Sequence, residues 1–162
     1  MKLGILGNGM IVKDLMKTIH KLNFEKIHVL GREASREKVE QLVREHQLTG
    51  SFYDYETMLQ SDVDVIYVAL PNHLHYDFAG KALEHKKHVI LEKPAASSGE
   101  EMRELAELAG NQKRMLFEAM NIHYLPAFQA LKEDLAKLGE IKMVSLNYSQ
   151  YSSRYDAFKQ GT

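Results

Sequence analysis

The chain has 162 residues, 44% of them apolar, and a formal charge of -1 from 21 basic and 22 acidic side chains. This suffices for one domain with a proper core and not for two full ones; the two charge signs are interspersed, so neither nucleic acid nor a membrane surface is expected as a partner, and a small-molecule substrate is. Cysteine is absent, which excludes disulfides, a thiolate nucleophile and cysteine-rich zinc sites, and the lack of a signal-peptide core or a bilayer-length apolar run points to a cytoplasmic location.

The opening elements alternate in a regular order: strand Lys2–Leu6, helix Met10–Leu22, strand Lys26–Leu30, helix Ser35–His46. A weaker strand at Ser51–Tyr53 and a short helix at Tyr55–Leu59 follow. Val63–Ala69 is crowded with apolar residues, as in a strand covered on both faces. Helix His73–His85, strand Lys87–Leu91, helix Ser98–Ala109 and strand Met115–Ala119 continue the alternation. The fold class is therefore α/β, a Rossmann-type doubly wound parallel sheet over residues 1–121. Residues 122–162 read differently. Pro126 starts a helix to about Leu138, Gly139 closes it, and Ile141–Tyr151 alternates polar and apolar residues like a strand of an antiparallel sheet covered on one face. No partner strand follows in Ser152–Thr162, so this stretch is expected to be the connecting helix and first strand of an incomplete α+β domain.

Gly7-Asn8-Gly9 lies between the first strand and the first helix, the context a dinucleotide loop needs. Gly7 permits the tight turn and Gly9 the close approach of a pyrophosphate, whose charge meets free N–H groups at Met10 and Ile11. Val12 stands where glycine or alanine would allow the closest helix-to-strand packing. At the end of the second strand, where an NAD site places a carboxylate for the ribose hydroxyls, the chain reads Leu30-Gly31-Arg32. The guanidinium of Arg32 suits a 2′-phosphate, so NADP is favoured over NAD, with the neighbouring Glu33 able to supply part of the missing acid role. His73 and His75, two residues apart at a helix start, do not share a face, and no metal is expected.

Two further stretches make the reading specific: Ala69-Leu70-Pro71-Asn72-His73-Leu74-His75 after the buried strand, and Leu91-Glu92-Lys93-Pro94 after the next. With the glycine loop, their order and spacing resemble the Gfo/Idh/MocA family, the glucose-fructose oxidoreductase and inositol dehydrogenase group, over essentially the whole chain. The resemblance implies a nicotinamide-dependent oxidoreductase that transfers a hydride to or from a sugar, polyol or related hydroxy compound. It assigns catalysis to Lys93 and implies cofactor contacts for Leu70, Pro71, Asn72, His75, Glu92 and Lys93. Glu118 and Asn121 resemble positions near the cofactor, while His123-Tyr124 departs from the commoner arginine-aromatic pair. A cis peptide between Lys93 and Pro94 is expected. Asn72 also suits a helix cap.

The residues agree with that chemistry. Ligands of open α/β sheets bind beyond the carboxyl ends of the strands, where Gly7, Arg32, Asn72 and Lys93 all fall. A lysine ammonium there can hydrogen-bond the oxygen of an alcohol becoming a carbonyl. The family continues into a sheet domain that holds substrate, forms a homo-oligomer and carries further catalytic residues, so this chain is expected to be the cofactor-binding half and inactive alone. A sensing or interaction module of the same fold, without catalysis, is the alternative; it would have no need of Glu92-Lys93-Pro94.

Overall fold

The structure is a computed structural model that describes residues 1–152 and 155–161. Tertiary contacts divide the chain into two units, Met1–Met120 and Asn121–Thr162.

The first unit is built on six strands: β1 (Lys2–Leu6), β2 (Lys26–Leu30), β3 (Gly50–Phe52), β4 (Val65–Val68), β5 (His88–Leu91) and β6 (Leu116–Glu118). All pair in parallel, in the order β3-β2-β1-β4-β5-β6. Five α-helices connect them: α1 (Met10–Met16), α2 (Arg36–Glu45), α3 (Tyr55–Gln60), α4 (His75–Glu84) and α5 (Gly99–Gln112). The expected doubly wound sheet is the one observed.

Strand periodicity sorts the core into two layers. In β4, Val65 and Tyr67 join Leu3, Ile5, Val12, Met16, Val29, Val39 and Leu42 on one face. Ile66 and Val68 join Leu6, Met58, Leu83, Val89, Leu91 and Leu105 on the other. Each fully buried aliphatic side chain contributes roughly 1.5–3 kcal/mol, so these two layers, more than local propensity, hold the helices against the sheet.

Several boundaries differ from those read in the sequence. The first helix stops at Met16, because Lys17 and Thr18 donate to carbonyls three residues back and the Thr18 hydroxyl takes the Leu15 carbonyl. A 3₁₀ turn at Ile19–Lys21 follows, and it still buries Ile19. The helix expected from His73 is preceded by a 3₁₀ turn at Asn72–Leu74 and runs His75–Glu84.

In the second unit a 3₁₀ turn at Asn121–Tyr124 precedes α6 (Pro126–Leu135), whose proline occupies the first turn, where no N–H is needed. Gly139 takes a left-handed conformation, φ +70°, beyond the end of that helix. The strand expected at Ile141–Tyr151 does not form. A strand needs a neighbour for its N–H and C=O groups, and none pairs with these residues among those described, so they carry no ladder and their side chains face solvent. Ser153, Arg154 and the terminal Thr162 lie outside the described residues. A short helix, α7 (Tyr155–Lys159), stands where no element was expected. No helix among the described residues is long and apolar enough to cross a membrane.

Candidate functional site

Because every strand is parallel, the carboxyl ends of β1, β2, β4 and β5 lie along one edge of the sheet. The chain leaves β1 toward β2 on one side and later fills β4 on the other, so the connections after β1 and β4 diverge and open a crevice. Gly7 stands at that point with φ +105°, and a Cβ there would sit 2.8 Å from the Ala69 carbonyl oxygen. Both the backbone and the space demand glycine. Its N–H donates to the Leu30 carbonyl at 3.1 Å, tying the turn to β2. Asn8 is half-buried. Gly9 precedes α1 in an extended conformation, nothing lies within 4 Å of a Cβ built on it, and no side chain caps the first N–H groups of α1. Met10 and Ile11 are exposed. This open glycine cradle fits a dinucleotide phosphate. Val12, at the third glycine position, is fully buried in the α1 and α2 layer.

At the end of β2, Arg32 is exposed and its guanidinium makes no ion pair among those of the described residues. Glu33 is committed elsewhere. Both its oxygens accept from Arg36, at 2.7 and 2.8 Å, and this pairing holds the Glu33 carboxyl below the usual carboxylate range. The Arg36 guanidinium in turn lies 3.8 Å from the centre of the Tyr53 ring. The cation left over at the strand end is Arg32.

Beyond β5 the Lys93–Pro94 peptide is cis, as expected. Three side chains from three different elements fasten this loop. Tyr67 of β4 donates its hydroxyl to Glu92 Oε1 at 2.5 Å; burial and then this carboxylate push the phenol well above its ordinary value. Glu118 of β6 accepts the Ala95 N–H at 2.9 Å. His75 at the start of α4 places Nδ1 2.8 Å from the Pro94 carbonyl oxygen and Nε2 2.8 Å from that of Leu70. Lys93 itself is exposed.

His75 therefore departs from the role implied for it. Its ring is wholly buried, with both nitrogens on backbone carbonyls, so it joins the loop after β4 to the loop after β5 and does not line the crevice. Asn72 does not cap: no side chain caps its 3₁₀ turn or α4, and Asn72 and Pro71 are exposed, with Leu70 half-buried behind them. The Glu92 carboxylate is engaged by Tyr67 and by the Lys93 N–H at 3.3 Å. Tyr67 and the fastening roles of His75 and Glu118 were missed in the sequence. Only Tyr67 carried a signal there, a hydroxyl within an otherwise apolar buried strand.

A pocket of about 340 Å³, lined in part by Pro94, Ala95, Met102 and Glu118, opens beside the lysine loop. A groove of about 690 Å³ lies between α4 and α5 and is lined in part by Tyr76, Lys81, Glu84, Glu104 and Leu108. None of its lining residues lies at a strand's carboxyl end, so the crevice remains the candidate site.

The family model described as "Oxidoreductase family, NAD-binding Rossmann fold" matches residues 1–120. The scyllo-inositol 2-dehydrogenase (NADP(+)) of Bacillus subtilis is 36% identical over 163 residues, 99% of this chain and 49% of that protein. The D-xylose 1-dehydrogenase (NADP(+)) 2 of Haloferax volcanii is 28% identical over 152 residues, 92% of this chain and 46% of its own. Among solved structures, a 3-ketoreductase from Actinomadura kijaniata in complex with NADP and TDP-benzene aligns with a TM-score of 0.76 at 22% identity, covering 85% of this chain and 42% of that one. Apo scyllo-inositol dehydrogenase from Lactobacillus casei aligns with a TM-score of 0.76 at 21% identity, covering 86% and 43%. At these identities the structures speak to the fold alone. The chain spans about half the length of the curated relatives it matches.

Proposed function

This chain belongs to the Gfo/Idh/MocA oxidoreductases, the family with an NAD-binding Rossmann fold, and from that premise we propose that it holds NADP across the carboxyl ends of β1, β2, β4 and β5. The observation that carries the reading is the pairing of an open glycine cradle with an uncompensated Arg32 at the end of β2. Gly7, Asn8 and Gly9 bring backbone to the pyrophosphate, with the N–H groups of Met10 and Ile11 behind them. Arg32 binds the 2′-phosphate as a fork of donors. Leu70, Pro71 and Asn72 form the wall after β4.

The bound nicotinamide supplies or accepts the hydride. Lys93 meets the oxygen of the substrate carbon, donating a hydrogen bond that steadies developing charge, and Glu92 holds the Lys93 backbone in place. The names of the relatives in Bacillus subtilis and Haloferax volcanii support a polyol or sugar as substrate. Lys93 faces solvent, so the described residues alone do not form a water-poor pocket around it.

Fluorescence titration with NADPH and NADH tests the reading. NADPH is expected to bind the more tightly, and Arg32→Ala to weaken NADPH by about tenfold, the worth of one charge-assisted contact, while leaving NADH unchanged. Equal affinities, or an Arg32→Ala variant that loses nothing, would reject it. With a panel of sugars and polyols the chain alone is expected to turn over none, below about one per second.

A further inference from the structure

Gly31 is glycine for a reason unrelated to its backbone angles, which do not fall in the left-handed region. A Cβ at position 31 would overlap Cγ2 of Val39 and lie only 3.3 Å from the Val39 Cβ. Val39 cannot easily yield. It is fully buried on α2, in the same layer as Val12, Val29 and Leu42, and a β-branched side chain in a helix has essentially one rotamer. The Gly31 N–H donates to the Phe52 carbonyl at 3.0 Å, which anchors the glycine to β3 from the other side.

Position 31 is also where a NAD site would carry its carboxylate, at the end of the second strand and about 20 residues past the glycine loop. We propose that Val39 is a specificity-determining residue: by occupying the space a side chain at position 31 would need, it closes this site to a ribose-binding carboxylate. The inference rests on the NADP reading and deepens it. Glu33, the one acid beside Arg32 in sequence, has both oxygens on Arg36 and does not fill the place. Cofactor choice is thus held by helix packing as well as by Arg32.

The consequence is that changing Gly31 alone does not convert the site. Four chains test this, Gly31→Asp, Val39→Ala, the double variant and the wild type, each followed by thermal unfolding and by titration with NADPH and NADH. Gly31→Asp alone is expected to lower the melting temperature and weaken both cofactors. Adding Val39→Ala is expected to restore much of the stability and shift the NADPH-to-NADH affinity ratio toward NADH by about tenfold relative to wild type. A Gly31→Asp chain with wild-type stability and improved NADH binding would overturn the proposal. So would a double variant no more stable than Gly31→Asp. The pair Gly31→Ala and Gly31→Ala/Val39→Ala repeats the stability comparison without a buried charge and covers the case in which the aspartate chains do not fold: no recovery in the second would equally overturn it. A wild type without NADPH preference would remove the NADP reading, while the stability pairs would still report on the packing.

Discussion

Two carbonyl oxygens, those of Leu70 and Pro94, face the two nitrogens of one buried ring. His75 thereby ties the loop that follows β4 to the loop that carries Lys93: whichever ring nitrogen carries the proton donates to one of these carbonyls, and removing the ring takes that donor away. Losing such a donor costs about 1–3 kcal/mol, so His75→Leu is expected to lower unfolding stability in urea by about that much, with His75→Gln recovering part of it. A His75→Leu chain as stable as wild type would show that the ring is not holding the loops. At this scale the sequence was half legible. Gly7, Gly9, Arg32, Asn72 and Lys93 stand out by position relative to strand ends. His75 was placed on the cofactor because a motif records which residue is present, and only packing records that its ring turns inward.

At the scale of elements, the strands β1 and β2 could be read to the residue, since an apolar run bounded by glycine or charge fixes both ends. Helix ends were less legible: α1 ends early through hydroxyl competition at Thr18, which intrinsic periodicity does not register. The run at Ile141–Tyr151 shows the opposite limit, for alternation describes a strand's faces and cannot supply its neighbour. Met143, Leu146 and Tyr148 are more than four-fifths exposed there, and such side chains are expected to bring a second copy of the chain onto them at high concentration. Sedimentation should show association that Leu146→Lys with Tyr148→Lys reverses; a wild type monomeric at all concentrations would reject this.

The sheet also carries an acid-sensitive contact between elements. Asp62 accepts from Lys26 at 2.9 Å and pairs with Lys2 at 3.0 Å, joining β1 and β2, and these ammonium groups pull its carboxyl down to about 2. A carboxyl lowered on folding contributes stability above its ordinary value of about 4 and loses that contribution as the pH falls toward the folded value. The group is exposed, so the effect is small. Asp62→Asn should flatten the stability profile between about pH 4 and pH 2 and leave it unchanged in slope near neutrality; an unaltered acid limb would contradict the assignment.

For the whole molecule, the alternation of strands and helices specified the doubly wound sheet, and the sheet in turn specified where a ligand belongs, because one parallel edge collects the loops after β1, β2, β4 and β5. The sequence could not show the packing that closes position 31 or the three side chains that fasten the lysine loop, since all of these are contacts between distant elements. At 18.6 kDa the chain is well suited to amide-resolved nuclear magnetic resonance. Titrating the isotopically labelled chain with NADP tests the central claim most directly, by asking which amides move. The account predicts that shifts concentrate at Gly7, Gly9, Arg32, Asn72 and Lys93, along one edge of the sheet. Shifts centred instead on Tyr76, Lys81 and Glu104 in the groove between α4 and α5, or no shifts at saturating cofactor, would contradict it.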